Sequence, residues 1–342
     1  MEKESGVERG WAMYIKELGR DVPSLWMEDG GRVVMLDQRL LPEKVELYET
    51  KTPDETAQAI KDMVIRGAPA IGVAAAFGMA QGWLNGLPVE KAEKVLRESR
   101  PTARDLFNAV EKMAEEWKSG GDVLRAARDY AMDVIDMCRR IGENGSALIR
   151  GGEKVLTHCN AGALATVDWG TALAPIRMAH RQKKEVFVWV DETRPWLQGS
   201  RLTAWELLQE EIPHSIIADN AAGFFMWRGE VDLVIVGADR VARNGDIANK
   251  IGTYEKAVVA RENSIPFYVA VPKTTLDPAI ASGDGIPIEE RGGEEVLSLG
   301  GKRIAPSGST ARNPVFDITP AEYITGYITE YGIVKDISRL FS

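Results

Sequence analysis

The chain has 342 residues, 44% of them hydrophobic and 27% charged, which is enough for a large core and suggests two domains. A formal net charge of -9 excludes a basic field that would gather nucleic acid or an anionic membrane, so any phosphate must be held locally. Two cysteines, Cys138 and Cys159, are too few for a disulfide scaffold, and three dispersed histidines with no CxxC pair argue against a structural zinc site.

The first ten residues carry acids and no apolar core, and no run reaches membrane-spanning length, so a cytoplasmic protein is expected. Residues 11–18 suggest a short helix; 32–36 and 44–48 alternate like strands of a small antiparallel unit, with Leu40-Leu41-Pro42 as its turn. Thr52-Pro53-Asp54-Glu55 is a helix start, with Thr52 as the cap and Pro53 at the first position. Ala57, Ile60, Met63 and Val64 form its apolar stripe, and Arg66-Gly67-Ala68-Pro69 is where it should stop. A second helix over 70–80 is rich in small residues and reads as buried nearly all round. Its N-terminus, with Arg66 beside it on a glycine turn, could hold a phosphate; a plain interhelical turn with an exposed arginine is the alternative. Further helices follow over 88–98 and, after the start signal Arg100-Pro101-Thr102, to about residue 150, with Cys138 on a packing face.

From Gly151 strands and helices alternate. Strand candidates are 154–157, 186–190, 214–218, 231–236 and 266–271, a pattern that predicts a doubly wound parallel sheet. The expected architecture is therefore α/β: a mostly helical N-terminal domain with a small antiparallel β element over 1–145, then a Rossmann-like domain over 146–342. No G-x-G-x-x-G opens any of the helices, which disfavours a nicotinamide or flavin role.

Polar residues collect at the strand ends: Cys159-Asn160, Asp191 to Arg194, Asp219-Asn220, Asp239-Arg240 and, a little later, Asn249-Lys250. In open α/β sheets ligands bind outside the carboxyl ends of the strands. Cys159, in a turn expected to open a helix, and Asp239 would share that edge as a proton-transfer pair, although a buried thiol and a turn-capping acid are the plainer readings of each alone. Gln198-Gly199-Ser200-Arg201 should open a helix with Ser200 as its cap. Phe224-Phe225-Met226-Trp227 suits an interface as well as a core. The tail, 286–291 and 306–331, should pack on the domain edge without chemistry.

Five segments carry a resemblance: R-G-A-P-A-I-G at 66–72, T-H-C-N-A-G-A-L-A-T at 157–166, D-E-T-R-P-W-L-Q-G-S-R-L-T-A-W-E-L at 191–207, V-G-A-D-R-V-A-R-N-G-D-I-A-N-K-I-G-T at 236–253 and I-P-I-E-E-R at 286–291. Together they resemble the methylthioribose-1-phosphate isomerase family, of the superfamily that includes initiation factor 2B α/β/δ subunits and ribose-1,5-bisphosphate isomerase. The resemblance implies an aldose–ketose isomerase of methionine salvage, acting on a small sugar phosphate with neither metal nor organic cofactor, with a helical region before a Rossmann-like domain, usually as a homodimer. It places the catalytic pair at Cys159 and Asp239 and substrate contacts at Arg66, Gly67, Ala68, Arg100, Gln198, Asn249 and Lys250. Val167-Asp168-Trp169 and Pro272-Lys273-Thr274 depart from the family pattern and leave room for 5-deoxyribose 1-phosphate. Ribose 1,5-bisphosphate would need a second anion site where the aromatic segment 189–205 suits a thioether better. A non-catalytic regulatory subunit is the alternative outside enzymes.

An anomeric phosphate blocks spontaneous ring opening, so the implied reaction needs an acid. Protonated Asp239, its pKa raised by apolar Val234 to Val236, would donate to the ring oxygen. Cys159 would then move the C2 hydrogen as a thiolate whose pKa the adjoining helix start lowers, or the hydrogen would migrate to C1 as hydride.

Overall fold

A computed structural model describes residues 12–100 and 104–341. The described residues begin not with a helix but with a hairpin, β1 (Met13–Ile15) with β2 (Arg20–Val22). Met13, Ile15 and Val22 are buried against Leu164, Leu202 and Trp205, an alternation that serves a strand and not a helix; Trp11 lies outside the described residues. β3 (Leu25–Met27), β4 (Val33–Leu36) and β5 (Leu47–Thr50) form a small antiparallel sheet.

Helix α1 (Pro53–Lys61) starts as its sequence predicts: the Thr52 hydroxyl accepts from the Glu55 N–H at 3.2 Å, and Pro53 fills the first position, where no N–H is needed. It stops before the predicted glycine turn because Met63 takes a left-handed φ of 56°, and buried Val64 and Ile65 follow in a bend. The next helix, α2 (Ala68–Leu84), is buried along almost its whole length, its alanines and glycines letting neighbours approach closely. Around it pack α3 (Val89–Arg97), α4 (Arg104–Lys118) and α5 (Val123–Gly145); the start signal at 101–102 lies outside the described residues.

The second half begins with β6 (Glu153–Thr157), α6 (Leu173–Arg181) and β7 (Val186–Asp191). Instead of a Ser200-capped helix, Gly199–Thr203 forms one wide π-type turn running into α7 (Ala204–Gln209), with Ser200 inside it. Then come β8 (His214–Ile217), α8 (Ala222–Trp227) and β9 (Leu233–Val236), followed by the short pair β10 (Arg240–Val241) and β11 (Ile247–Lys250). α9 (Thr253–Glu262) and β12 (Phe267–Ala270) precede a loop-rich excursion holding α10 (Glu294–Leu297) and the hairpin β13 (Ser298–Leu299) with β14 (Lys302–Arg303).

The tail is more than edge packing. β15 (Phe316–Thr319) pairs with β11, while β16 (Gly326–Thr329) and β17 (Gly332–Val334) extend the main sheet. That sheet has seven strands in the order β17-β16-β12-β9-β6-β7-β8, all parallel except β17. Successive residues of one strand serve opposite cores: Val234 and Val236 pack with α8 and α9, whereas Leu233 and Ile235 pack with α6 and α7. Ile141 near the end of α5 joins the latter core, so the helical part and the sheet share one helix. In the segment 224–227, Met226 is buried and Phe225 stacks on Trp189 at 4.1 Å, whereas Trp227 is 74% exposed.

Candidate active site

Strands run outward in chain order from β6 to β7 and β8 on one side, and from β9 to β12 and β16 on the other. The order reverses between β6 and β9, and a doubly wound sheet leaves its crevice beyond the carboxyl ends at such a point. Cys159 follows β6 and Asp239 follows β9, so the topology brings together two side chains that the sequence keeps far apart.

Cys159 has a left-handed φ of 63°, a conformation that costs a non-glycine residue roughly 1 to 3 kcal/mol. Its N–H donates to Thr193 Oγ1 at 2.8 Å and its carbonyl accepts from Thr203 Oγ1 at 2.7 Å, contacts from two loops that hold it there. The helix expected after it is absent. Only the 3-10 turn Ala163–Ala165 follows, and α6 starts at Leu173, because the loop must first wrap around the Glu206 carboxylate, which accepts from Ala163 and Leu164 N–H groups. The thiol therefore does not sit at the start of the helix that was expected to follow it. Burial pushes the Cys159 pKa up, against the pull of Lys250 and Arg66.

Cys159 and Asp239 line one cavity of about 80 Å³. The same walls include Arg66, Gly67, Ala68, Arg100, Gln198, Asn249 and Lys250. Asp239 and Lys250 are half-buried in the cavity wall. Burial raises the Asp239 carboxyl above its ordinary range, opposed by Lys250, Arg100 and Arg66. Burial lowers Lys250, whose Nζ lies 4.6 Å from the centre of the Phe316 ring. Among the described residues no carboxylate comes within ion-pair distance of Lys250. Asn249 Nδ2 donates to Thr253 Oγ1 at 2.9 Å, and Gln198 Oε1 is buried with no partner among the described residues.

Gly67 caps α2 at φ 97°, and a side chain there would run into the Ala165 carbonyl, so only glycine brings the helix start this close to the cavity. The first N–H groups of α2 lack partners within the helix and offer positive charge to an anion. Arg66 is less free than its sequence position suggests. Its guanidinium donates to the Asn160 carbonyl at 2.8 Å and to Asn160 Oδ1, while Asn160 Nδ2 donates to Glu206 Oε1 at 2.8 Å.

Several lining residues had no role assigned from the sequence: Asn160, Thr275, Arg291 and the apolar Met63, Val315 and Phe316. Arg291 comes from the tail for which no chemistry was expected; Glu289 at 3.2 Å and Glu295 at 3.6 Å hold it, and its place in I-P-I-E-E-R was the available signal. The tryptophans of the segment 189–205 do not line the cavity, although Gln198 between them does: Trp189 stacks on Phe225, Trp196 lies under Arg201, and Trp205 is in the core. Apolar lining comes instead from Met63, Pro69, Val315 and Phe316.

Two of the polar strand ends serve the scaffold. Asp219 accepts from the Thr193 and Arg194 N–H groups at 2.7 Å, and Asp191 lies 3.0 Å from His158 Nδ1 and 3.5 Å from Lys256 Nζ. His158, Asp191 and Asp219 bring possible metal-ligand atoms within 4.8 Å of one another. Most of the polar atoms of this group are engaged: His158 Nε2 meets the Ile251 carbonyl at 2.8 Å and the Lys256 ammonium sits beside Asp191 Oδ2, while Asp191 Oδ1 has no hydrogen-bond partner among the described residues.

Residues 64–336 match the model of the initiation factor 2 subunit family. The chain is 52% identical to a methylthioribose-1-phosphate isomerase of Aquifex aeolicus over 96% of this chain and 70% of that one. Against an enzyme of the same name from Thermus thermophilus it is 50% identical over 93% and 96%. Among solved structures, 5-methylthioribose 1-phosphate isomerase from Pyrococcus horikoshii superposes with a TM-score of 0.87 at 41% identity, covering 95% of this chain and 97% of that one. The eIF-2B subunit delta from A. fulgidus gives 0.84 at 41% identity, over 94% and 99%. The chain belongs to the initiation factor 2 subunit family and, within it, to the methylthioribose-1-phosphate isomerases.

Proposed function

We propose that this protein converts 5-methylthioribose 1-phosphate to 5-methylthioribulose 1-phosphate in methionine salvage, with Asp239 as the acid that opens the ring and Cys159 as the group that moves the C2 hydrogen. One observation carries the reading: a thiol and a carboxyl that follow the two strands flanking the switch point line one cavity with Lys250. Phosphate on the anomeric oxygen prevents unaided opening. Asp239 donates its proton to the ring oxygen, the C1–O bond breaks, and C1 is left electron-poor. Cys159 takes the proton from C2, and the C–H electron pair forms the C1–C2 double bond of an enol. The 2-hydroxyl then returns a proton to Asp239 as Cys159 protonates C1, which leaves a ketone at C2 and both residues as they began.

Lys250, Arg100, Arg291 and the α2 N-terminus supply the positive charge for the phosphate, and Met63, Val315 and Phe316 offer an apolar place for the methylthio group. Four cations in the walls also leave 5-substituted relatives of the substrate within reach, so a panel of C1-phosphorylated pentoses with varied 5-substituents belongs in the assay. A regulatory subunit without activity would form no ketone from any of them. Cys159→Ser and Asp239→Asn should each lower kcat by at least ~100-fold if proton transfer is their task; near-normal turnover in both would remove the mechanism.

A second route for the hydrogen is favoured by the burial that keeps Cys159 protonated: the C2 hydrogen migrates with its electron pair to C1 while the 2-hydroxyl gives its proton to Asp239. Turnover in D₂O separates the two. Solvent deuterium at C1 of the product marks the proton route, and its complete absence marks the hydride route. The pH profile is a second discriminator. The proton route needs one proton shared by the pair, so the rate falls on both sides of a plateau between the raised Asp239 and raised Cys159 pKa values; the hydride route needs both protonated and loses only its alkaline side.

A further inference from the structure

β12 ends at Ala270, and the chain turns through Pro272 into the 3-10 turn Lys273–Thr275, which forms part of the cavity wall. Backbone contacts fix that turn: the Thr275 N–H donates to the Pro272 carbonyl at 3.1 Å, and the Asp277 N–H to the Val241 carbonyl at 2.9 Å, close behind Asp239. Thr275 is 1% exposed, and its hydroxyl has no hydrogen-bond partner among the described residues. A buried hydroxyl without a partner destabilises the fold, and valine would fill the same space without that cost. Of the neutral side chains in the cavity wall, Gln198 and Thr275 are the two with a buried polar atom in this condition.

The chemistry of the proposed substrate leaves one group for such a hydroxyl. Its phosphate belongs to the cations, its ring oxygen and C2 to Asp239 and Cys159, and its thioether accepts hydrogen bonds only weakly. The 3-hydroxyl is what remains. We infer that Thr275 hydrogen-bonds the 3-hydroxyl of the bound pentose and so makes the enzyme selective for a ribo-configured substrate over its 3-deoxy analogue. This assignment rests on the isomerase reading above.

The test compares wild type, Thr275→Val and Thr275→Ser on 5-methylthioribose 1-phosphate and on its 3-deoxy analogue, with Tm measured for each protein. Thr275→Val should lose about tenfold in kcat/KM on the first substrate with no fall in Tm, and Thr275→Ser should recover most of it. On the 3-deoxy analogue wild type should already be slow, and Thr275→Val should be no slower. Equal losses on both substrates, or full activity of the valine variant, overturn the assignment. If the valine variant is too unstable to measure, wild type decides alone: equal kcat/KM for the two substrates overturns it. Turnover of neither substrate by wild type would instead strike the isomerase reading.

Discussion

Two clusters of charge, one around Arg177 and one in the cavity wall, are built on opposite terms. Arg177 on α6 is 1% exposed and fully engaged: Asp168 lies 3.0 Å from one end of its guanidinium and Glu210 2.6 Å from the other. Burial works against that charge, yet the two carboxylates outweigh it and hold the arginine pKa above its ordinary value. In the cavity wall Lys250 has no carboxylate at ion-pair distance among the described residues, and Arg291 and Arg66 add to the burial that lowers it, against the pull of Cys159 and Asp239. The first cluster is complete without a ligand. The second carries a surplus of positive charge that a bound dianion would relieve, as expected where a fold trades stability for binding.

The largest effect should come from exchanging losses between the clusters. Lys250→Met removes a half-buried ammonium with no ion-pair partner among the described residues, so kcat/KM should fall by at least ~100-fold while Tm holds or rises. Arg177→Met strands the buried Asp168 and leaves Glu210 with Arg181 at 3.2 Å, so unfolding free energy should fall by about 3 kcal/mol, while the activity of the folded fraction stays close to wild type. Denaturant unfolding and steady-state kinetics on both variants check the contrast. If Lys250→Met were destabilised and active, and Arg177→Met stable and inactive, the comparison would be reversed.

A smaller effect sharpens the same contrast through pH. The folded-state pKa of Asp239 lies above its unfolded value, so its carboxylate destabilises the fold increasingly as pH rises from the ordinary carboxylate range through the raised value. Asp239→Asn should therefore be more stable than wild type at neutral pH, by a margin that shrinks toward zero in acid. Unfolding curves across that range give the sign directly. A margin that grew in acid would mean that Asp239 is stabilised as the anion and cannot serve as the resting acid.

Much of this arrangement was legible in the sequence, and the gaps have physical causes. β9 and β12 are unbroken apolar runs, and β6 and β7 are apolar over 155–156 and 186–190, because both of their faces are covered there, and α1 announces itself through Thr52 and Pro53. Cys159 and Asp239 stand out because each ends such a run. The tail strands did not stand out, since β15 to β17 are short, interrupted by Pro320, Gly326 and Gly332, and stabilised by partners far away in the chain. Positive φ at Met63 and Cys159 is set by tertiary contacts and leaves no glycine as a mark. Arg291 and Thr275 were missed for the related reason that they reach the cavity from loops, where neither periodicity nor a strand end points to them.

The smallest effect separates stability from chemistry in the helical part. Thr52 caps α1 well away from the cavity; its hydroxyl accepts one N–H hydrogen bond, from Glu55, at a helix start that is exposed to water. Loss of such a cap costs about 1 kcal/mol, because water can replace part of the lost bond. Thr52→Ala should therefore lower unfolding free energy by about that amount and leave kcat and KM unchanged. α1 nevertheless packs on α2, whose first turn faces the cavity through Gly67. A rise in KM with unchanged kcat would mean that loosening α1 is transmitted to the anion-binding turn, and that the scaffold and the site are less separate than the two charge clusters suggest.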